Sequence, residues 1–197
     1  MINSKNALRK IPDFNQRFKS KERDLSISCQ DFWCWAFSDL LNNTTRGILA
    51  EFLIANALRI DQTCRKEWNA YDLITEKGLK IEVKSAAYVQ SWEQKKVSEI
   101  KFNIATTKGW DAETNTYSPT SQRQSDVYIF ALLKHKDKNT VNPLDLDQWL
   151  FYVLKTAEIN KVCGDKKSIG INSLLKLNPA ICHYDELKKQ IESLEQE

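Results

Sequence analysis

Histidine is scarce in this chain of 197 residues, and cysteine occurs without close pairs. The two histidines, His135 and His183, lie far apart in polar surroundings. This argues against nucleases that use clustered histidines and against Cys/His hydrolases. The five cysteines are odd in number and show no C-x-x-C spacing, which argues against a disulfide framework and a zinc site. We therefore expect a protein of the reduced cytoplasm.

Long apolar runs and a strong charge excess are also missing. No segment has the length of a signal-peptide core or of a membrane span, so we expect no membrane partner. The net charge of +3 is too small to indicate nucleic-acid binding by itself, and such a role needs a local basic patch. A hydrophobic content of 42% with six tryptophans fits a globular core. We expect a single domain over residues 1–197.

The stretch 71–85 predicts two short strands joined by a tight turn. A three-residue loop of residues 76–78 would place Gly78 at the left-handed position, where a residue without Cβ is favoured. With this loop, Thr75 pairs with Leu79. Counting back along both strands then puts Asp72 opposite Glu82.

The second of these strands presents charge on one face, because side chains alternate along a strand. Glu82 and Lys84 share that face, while Ile81 and Val83 point into a core. Opposed carboxylates destabilise a sheet unless a cation neutralises them, and a divalent ion does so better than Lys84 alone. Carboxylates, water and phosphate oxygens make a Mg²⁺ site, beside which a lysine can orient an attacking water or help to deprotonate it. The pattern favours phosphodiester hydrolysis; the alternative is a solvated hairpin with an incidental ladder of charges.

Asp72 followed by Ile-Glu-Val-Lys at residues 81–84 resembles the signature of the PD-(D/E)xK nuclease superfamily. That superfamily includes restriction endonucleases, Holliday junction resolvases and repair nucleases. The resemblance implies that Asp72 and Glu82 bind Mg²⁺ or Mn²⁺, with the Val83 carbonyl as a third ligand. It also implies that Lys84 is the catalytic lysine. The chain departs from the literal pattern by having Tyr71 where the signature has proline.

Two further side chains are candidates for the same site. Glu51 lies in an apolar helix that we expect to be capped by Thr44 or Thr45, and a buried carboxylate without a partner is costly. Proteins that this chain resembles often have a helix glutamate at the metal site, which implies that Glu51 binds the ion directly or through water. Pairing with Arg59 is the alternative. In related folds a glutamine near position 90 positions water or phosphate, so Gln90 is also a candidate, against the alternative of a surface glutamine.

The amino-terminal segment is a candidate for contact with DNA. Residues 1–24 hold seven basic and three acidic residues. The spacing of Ile11, Phe14 and Phe18 predicts a short amphipathic helix after Pro12. A solvated helix face is the alternative.

A second candidate for contact with DNA is the polar segment 106–125, which shows no periodicity and is expected to be a long loop. It supplies cations and rings that suit phosphates and bases, namely Lys108, Trp110, Tyr117 and Arg123. A mobile surface loop without a partner is the alternative.

The order of elements predicts the fold class. Two helices, the first beginning at Asp31, precede the hairpin, and strands follow at residues 100–104, 126–133 and 149–154. This order predicts an α/β protein with a central mixed β-sheet flanked by helices on both faces, which the resemblance identifies as restriction endonuclease-like. We expect the core at about residues 31–154, with an N-terminal basic addition and a C-terminal helical addition.

The C-terminal addition carries an apolar stripe of four residues, Tyr184, Leu187, Ile191 and Leu194. We expect this stripe to pack on the protein's own sheet; a homodimer seam is the alternative.

The sequence thus predicts a Mg²⁺-dependent DNA endonuclease of restriction, repair or defence type. The alternatives are a nucleic-acid-binding protein that keeps the fold without turnover, and a nuclease that acts on RNA. The presence of Asp72, Glu82 and Lys84 together argues against the inactive form.

Overall fold

The computed structural model describes residues 12–60, 65, 69–111 and 116–196. These residues form two compact units. The first unit holds the described residues up to Asp39 together with Arg65, and the second holds the others. Ile11, the rest of segment 1–11 and residues 112–115 lie outside the described residues, and so do the predictions made for them. The single domain expected from the sequence stays a prediction.

The first unit is a β-hairpin followed by a helix. Strands β1 (Arg17–Ser20) and β2 (Arg23–Ser28) pair antiparallel around Lys21 and Glu22, which both have positive φ. Helix α1 (Cys29–Phe37) begins with a capping box, in which Ser28 N–H donates to Asp31 Oδ2 over 2.7 Å. The amphipathic helix predicted after Pro12 is therefore wrong. Its three apolar positions were too few to nucleate a helix, and residues 23–28 alternate at the period of a strand.

The second unit is built on a mixed sheet. Its helices and strands are, in chain order, α2 (Asn43–Ala57), β3 (Leu73–Ile74), β4 (Lys80–Ala87), β5 (Lys101–Asn103), β6 (Thr107–Asp111), β7 (Thr116–Gln122), β8 (Val127–Leu133), β9 (Trp149–Lys155), α3 (Thr156–Cys163), β10 (Ser168–Gly170), α4 (Ile171–Leu175), β11 (Ala180–Cys182) and α5 (Leu187–Leu194). Five strands lie in the order β11-β9-β8-β4-β3. Strands β4 and β8 are parallel, and the other neighbours are antiparallel. The predicted α/β class with a mixed sheet is confirmed, while its restriction endonuclease-like identity stays a prediction.

The sheet has a separate apolar core on each face. Ile81 and Val83 of β4 pack with α2 and α5 on one face, which we call the α2 face. Ala86 packs with β5, α3 and α4 on the other, which we call the α3 face. Because side chains alternate along β4, Glu82 and Lys84 lie on the α3 face. The helices therefore flank both faces, and the charged pair shares its face with an apolar core.

The buried strands and the last helix match the sequence expectations. All seven residues of β8 are buried, as the apolar run 126–133 predicted. Leu187 and Ile191 of α5 are also buried, in the core of the α2 face. Packing of the C-terminal stripe on the protein's own sheet is therefore confirmed. Of the helices that the structure describes, none is both long enough and apolar enough to cross a membrane.

Two local predictions are wrong. Segment 106–125 is not a long loop, since β6 and β7 form an antiparallel hairpin in which Trp110 pairs with Tyr117. Most side chains of its second strand are exposed, so no hydrophobic alternation marked it. Helix α2 is capped by Asn42, whose Oδ1 accepts from Thr44 N–H over 2.9 Å, and not by Thr44 or Thr45.

Candidate active site

The turn of the β3–β4 hairpin fixes the register of the candidate site. Thr75 N–H donates to Leu79 O over 3.0 Å. Gly78 has a φ of 89°, which a residue with a Cβ rarely adopts. The predicted loop, with Thr75 facing Leu79 and Gly78 in the left-handed region, is therefore confirmed.

Within this register Asp72 lies beside Glu82. Leu73 pairs with Ile81, and Asp72 N–H donates to Ile81 O over 3.1 Å. Strand β3 contains only two residues, and the Asp72 side chain continues the ladder, because its Oδ2 accepts from Val83 N–H over 2.7 Å. Asp72 is thus held by both residues that flank Glu82, through its backbone N–H to Ile81 and through its carboxylate to Val83.

Lys84 lies against Glu82 on the α3 face. Its Nζ is 2.5 Å from Glu82 Oε1, and the two side chains are 27% and 19% exposed. Tyr128 of β8 is the cross-strand partner of Glu82. Burial, together with the charge of Glu82, raises the pKa of the Tyr128 hydroxyl to about 12, so this phenol stays protonated at neutral pH. The sequence interpretation missed Tyr128, because only the register of the parallel pair brings it to Glu82.

Asp72 is held in an unfavourable electrostatic position. Burial, followed by the negative charges of Glu82 and Glu51, raises the pKa of Asp72 to about 7. The Val83 amide and the Lys84 ammonium act in the opposite direction. A carboxyl group that titrates near neutrality beside a second carboxylate is typical of functional sites that bind cations or transfer protons.

The negative charge of Glu51 acts on Asp72, since it is among the causes that raise the pKa of Asp72. Helix α2 packs on the α2 face, whereas Glu82 and Lys84 lie on the α3 face. Asp72 directly precedes the edge strand β3, where groups from both sides of the sheet can act on it. Across residues 12–60, 65, 69–111 and 116–196, no three His, Cys, Asp or Glu side chains converge as a metal-binding group. The described carboxylate site is therefore a pair, Asp72 and Glu82, with Glu51 as a more distant charge.

Gln90 lies in the loop that follows β4. It is 6% exposed, so the alternative of a surface glutamine is wrong. Its Nε2 donates to Ala87 O over 2.8 Å and to Ser98 Oγ over 3.3 Å, while its Oε1 accepts from Arg46 Nη1 over 3.3 Å. These contacts make Gln90 part of the scaffold behind the site. Its role toward water or phosphate stays a prediction.

Arg46, which the sequence interpretation passed over, ties α2 to β4. It is 3% exposed and donates to Ser85 Oγ, Leu41 O and Asn43 Oδ1 at 3.2, 2.7 and 2.7 Å. Burial lowers the pKa of its guanidinium to about 10, so it stays charged at neutral pH. An arginine in the first turn of an otherwise apolar helix is the signal that could have identified this structural role.

The four residues predicted to touch DNA have different surroundings. Lys108 is exposed on β6. The rings of Trp110 and Tyr117 lie 4.9 Å apart across the hairpin, and Tyr117 is 64% exposed. Arg123, by contrast, is 7% exposed, so the structure corrects its assignment as a phosphate contact.

The guanidinium of Arg123 is bound within the protein. It donates to Ile104 O and to Asn160 Oδ1 over 2.7 and 2.6 Å. It also donates to the carbonyls of Gly164 and Lys166 over 2.9 and 3.2 Å. These bonds link the end of the β6–β7 hairpin to the segment after α3, and they leave Lys108, Trp110 and Tyr117 as the accessible candidates of this hairpin.

Comparison with known proteins gives one family. A family model described as bacteriophage T4 endonuclease IV matches residues 2–173, which include every predicted site residue. No curated protein and no solved structure is significantly similar to the chain. The match confirms the prediction of a nuclease family, and it leaves membership of the PD-(D/E)xK superfamily as a prediction.

Proposed function

The chain belongs to the bacteriophage T4 endonuclease IV family. We propose that it is a metal-dependent endonuclease that hydrolyses phosphodiester bonds in DNA. The observation that carries the site assignment is the pairing of Asp72 with Glu82, with the Lys84 ammonium 2.5 Å from Glu82. We further propose that the site is of the PD-(D/E)xK type. Its cofactor would be Mg²⁺, with Mn²⁺ as a substitute.

The donor set fits a hard divalent cation. Carboxylate and carbonyl oxygens are the ligands that Mg²⁺ prefers, and the ion usually keeps several waters. Asp72 and Glu82 would hold it, with the Val83 carbonyl and, through water, Glu51 as further oxygens. The raised pKa of Asp72 supports this fit, because burial and the nearby charge of Glu82 both disfavour the ionised carboxylate, and a bound cation would favour it. When bound, the ion would polarise the scissile phosphate and lower the pKa of the attacking water.

The residues of the chain have separate tasks in this proposal. Val83 N–H fixes the Asp72 carboxylate, so its position does not depend on the substrate. Lys84 balances the charge of Glu82 in the free protein. Once a cation other than Lys84 neutralises the charge of Glu82, Lys84 Nζ can donate a hydrogen bond to a non-bridging oxygen of the scissile phosphate. Lys84 therefore acts on the reacting phosphate and not in cation capture.

A cleavage assay with Lys84→Ala tests this proposal. Plasmid DNA, single-stranded DNA and RNA would be incubated with wild type and variant in Mg²⁺ or Mn²⁺. Loss of a group that acts in the chemical step is expected to reduce turnover by about 10²–10⁴-fold with little change in DNA affinity. Lys101→Ala is the matched control, since Lys101 also pairs with a glutamate two residues earlier, but both of these side chains are exposed.

Cleavage of DNA by wild type and by Lys101→Ala, with loss in Lys84→Ala, would support the assignment. Equal cleavage by all three proteins would place the activity at another site. Cleavage of RNA alone would move the substrate class to RNA. Binding without any cleavage would favour a nucleic-acid-binding protein without turnover.

A further inference from the structure

A second concave site lies on the α3 face beside the carboxylate pair. It is a cavity of about 500 Å³ at the ends of β4, β8 and β9. That volume is within the range of roughly 300–1,000 Å³ that small-molecule sites occupy. The lining residues used below are Tyr88, Leu132, Lys134, Lys136, Leu150 and Tyr152. We call this site the Tyr88 cavity.

Strand register places the Tyr88 cavity next to Lys84. Ala86 is the next residue after Lys84 on the same face, and it pairs with Leu132 of the cavity floor. Leu132 in turn pairs with Leu150. At about 3.3 Å per residue, the step from Lys84 to the Ala86–Leu132 pair is about 7 Å. This distance is about twice the ~3.4 Å spacing between successive bases of a nucleic-acid strand.

The lining combines apolar, aromatic and cationic groups. Lys136 Nζ lies 4.6 Å from the centroid of the Tyr88 ring. Tyr88 and Tyr152 both line this cavity. Burial and the neighbouring Tyr88 raise the pKa of the Tyr152 hydroxyl. Lys134 and Lys136 bring positive charge, against one carboxylate from Asp147.

The positive surface extends past the Tyr88 cavity. Lys136 also lines a neighbouring cavity of about 350 Å³, together with Lys96. Trp92, in the loop after β4 that also carries Lys96, is 52% exposed. Aromatic rings between ammonium groups are the arrangement by which proteins hold a nucleic-acid strand, with bases on the rings and phosphates on the cations.

We propose that the Tyr88 cavity binds a nucleotide that flanks the scissile phosphate, with its base against Tyr88 and its phosphate on Lys134 and Lys136. The proposal rests on the proposed function, since it takes Lys84 to mark the scissile position. It assigns the cavity a task in substrate binding that is separate from the chemistry of Asp72, Glu82 and Lys84.

Binding of a fluorescent single-stranded oligodeoxynucleotide, measured by anisotropy in the Lys84→Ala background with Mg²⁺, tests the proposal. Tyr88→Leu removes the ring and keeps an apolar side chain, and we expect about a 5- to 100-fold weaker Kd. Tyr88→Phe keeps the ring and should retain affinity. Lys136→Ala should lower the slope of log affinity against log salt by about 0.7. Lys189→Ala is the control, an exposed lysine on α5 of the opposite face.

Normal affinity in Tyr88→Leu together with an unchanged salt slope in Lys136→Ala would overturn the proposal. So would equal losses in Lys136→Ala and Lys189→Ala, which would indicate a general charge effect. Cleavage by the protein with native Lys84, measured in parallel, separates the two hypotheses. If that protein cuts DNA while the cavity variants bind normally, only the cavity assignment fails. If the cavity variants lose affinity but that protein cuts nothing, the nuclease proposal fails, and the cavity keeps only its assignment as a nucleotide-binding site.

Discussion

Replacing Asp72 by asparagine is expected to stabilise the metal-free protein at and above neutral pH. The substitution keeps an oxygen that can accept from Val83 N–H, a bond of 2.7 Å in the wild type. It removes a buried negative charge that lies beside Glu82 and within the field of Glu51. A residue that binds a cation in the working protein is thus expected to destabilise the fold when the cation is absent.

The size of the effect follows from the pKa of Asp72. Its folded value of about 7 lies about three units above the ordinary value of 3.8. At ~1.36 kcal/mol per unit, ionisation costs the folded protein up to about 4 kcal/mol. Because Glu82 can share the proton, we expect about 2–4 kcal/mol. Between pH 4 and 7 the folded protein keeps a proton that the unfolded chain has lost, so wild-type stability falls as pH rises through this window.

Urea unfolding in the presence of a chelator, repeated from pH 5 to pH 8, measures this effect. The gain of Asp72→Asn over wild type should grow by about 2 kcal/mol between pH 5 and 7 and level off above pH 7. Asp126→Asn is the control, because Asp126 Oδ2 also accepts from a backbone amide, Lys80 N–H at 2.8 Å, but at an exposed position. A gain of Asp72→Asn that is the same at every pH, or a loss at pH 8, would refute the reasoning.

Three further outcomes are expected. Calorimetric titration should show Mg²⁺ binding to wild type but not to Asp72→Ala, with about 1.4 kcal/mol of added stability for each tenfold rise in Mg²⁺ above Kd; equal binding would contradict the ligand assignment. Lys108→Ala should lower the salt slope of DNA binding by about 0.7–0.9, and an unchanged slope would place the phosphate contact elsewhere. Arg123→Met should lower the free energy of unfolding by about 2–4 kcal/mol in urea, because four oxygens lose a buried donor; no loss would mean that other donors replace the guanidinium.

The parts of the fold that could be predicted are those in which the local turn and strand preferences of the residues agree with the burial of their side chains. The turn at Gly78 could be predicted because its positive φ favours glycine, which is visible in the sequence. Strand β8 could be predicted because a wholly apolar run must be covered on both faces. The hairpins β1–β2 and β6–β7 were missed because their strands are short and mostly exposed. Their pairing depends on backbone hydrogen bonds that leave little hydrophobic pattern.

The candidate site also contains residues that could be predicted from the sequence and residues that could not. Asp72, Glu82 and Lys84 lie within one hairpin, so turn chemistry and alternation suffice to place them together. Tyr128 joins Glu82 only through the parallel β4–β8 register, which links residues far apart in the chain. Arg46 and Arg123 bind side-chain and carbonyl oxygens from distant segments, and a sequence does not indicate which carbonyls will lack a donor.

The carboxylates of Asp72 and Glu82 repel each other, yet they remain adjacent in the free protein. Hydrogen bonds between Asp72 and the two neighbours of Glu82 explain why. Asp72 N–H is bonded to Ile81 O, and its carboxylate is bonded to Val83 N–H, so both ends of the residue are fixed by β4 itself. Glu82, between those two residues, carries its own counter-charge in Lys84. The repulsion is therefore balanced by bonds within a single hairpin, and the carboxylates need not be assembled by the ligand. In the proposed function, such preorganisation would let a bound cation relieve a repulsion that is already present in the folded protein, so the site would select for charge without moving.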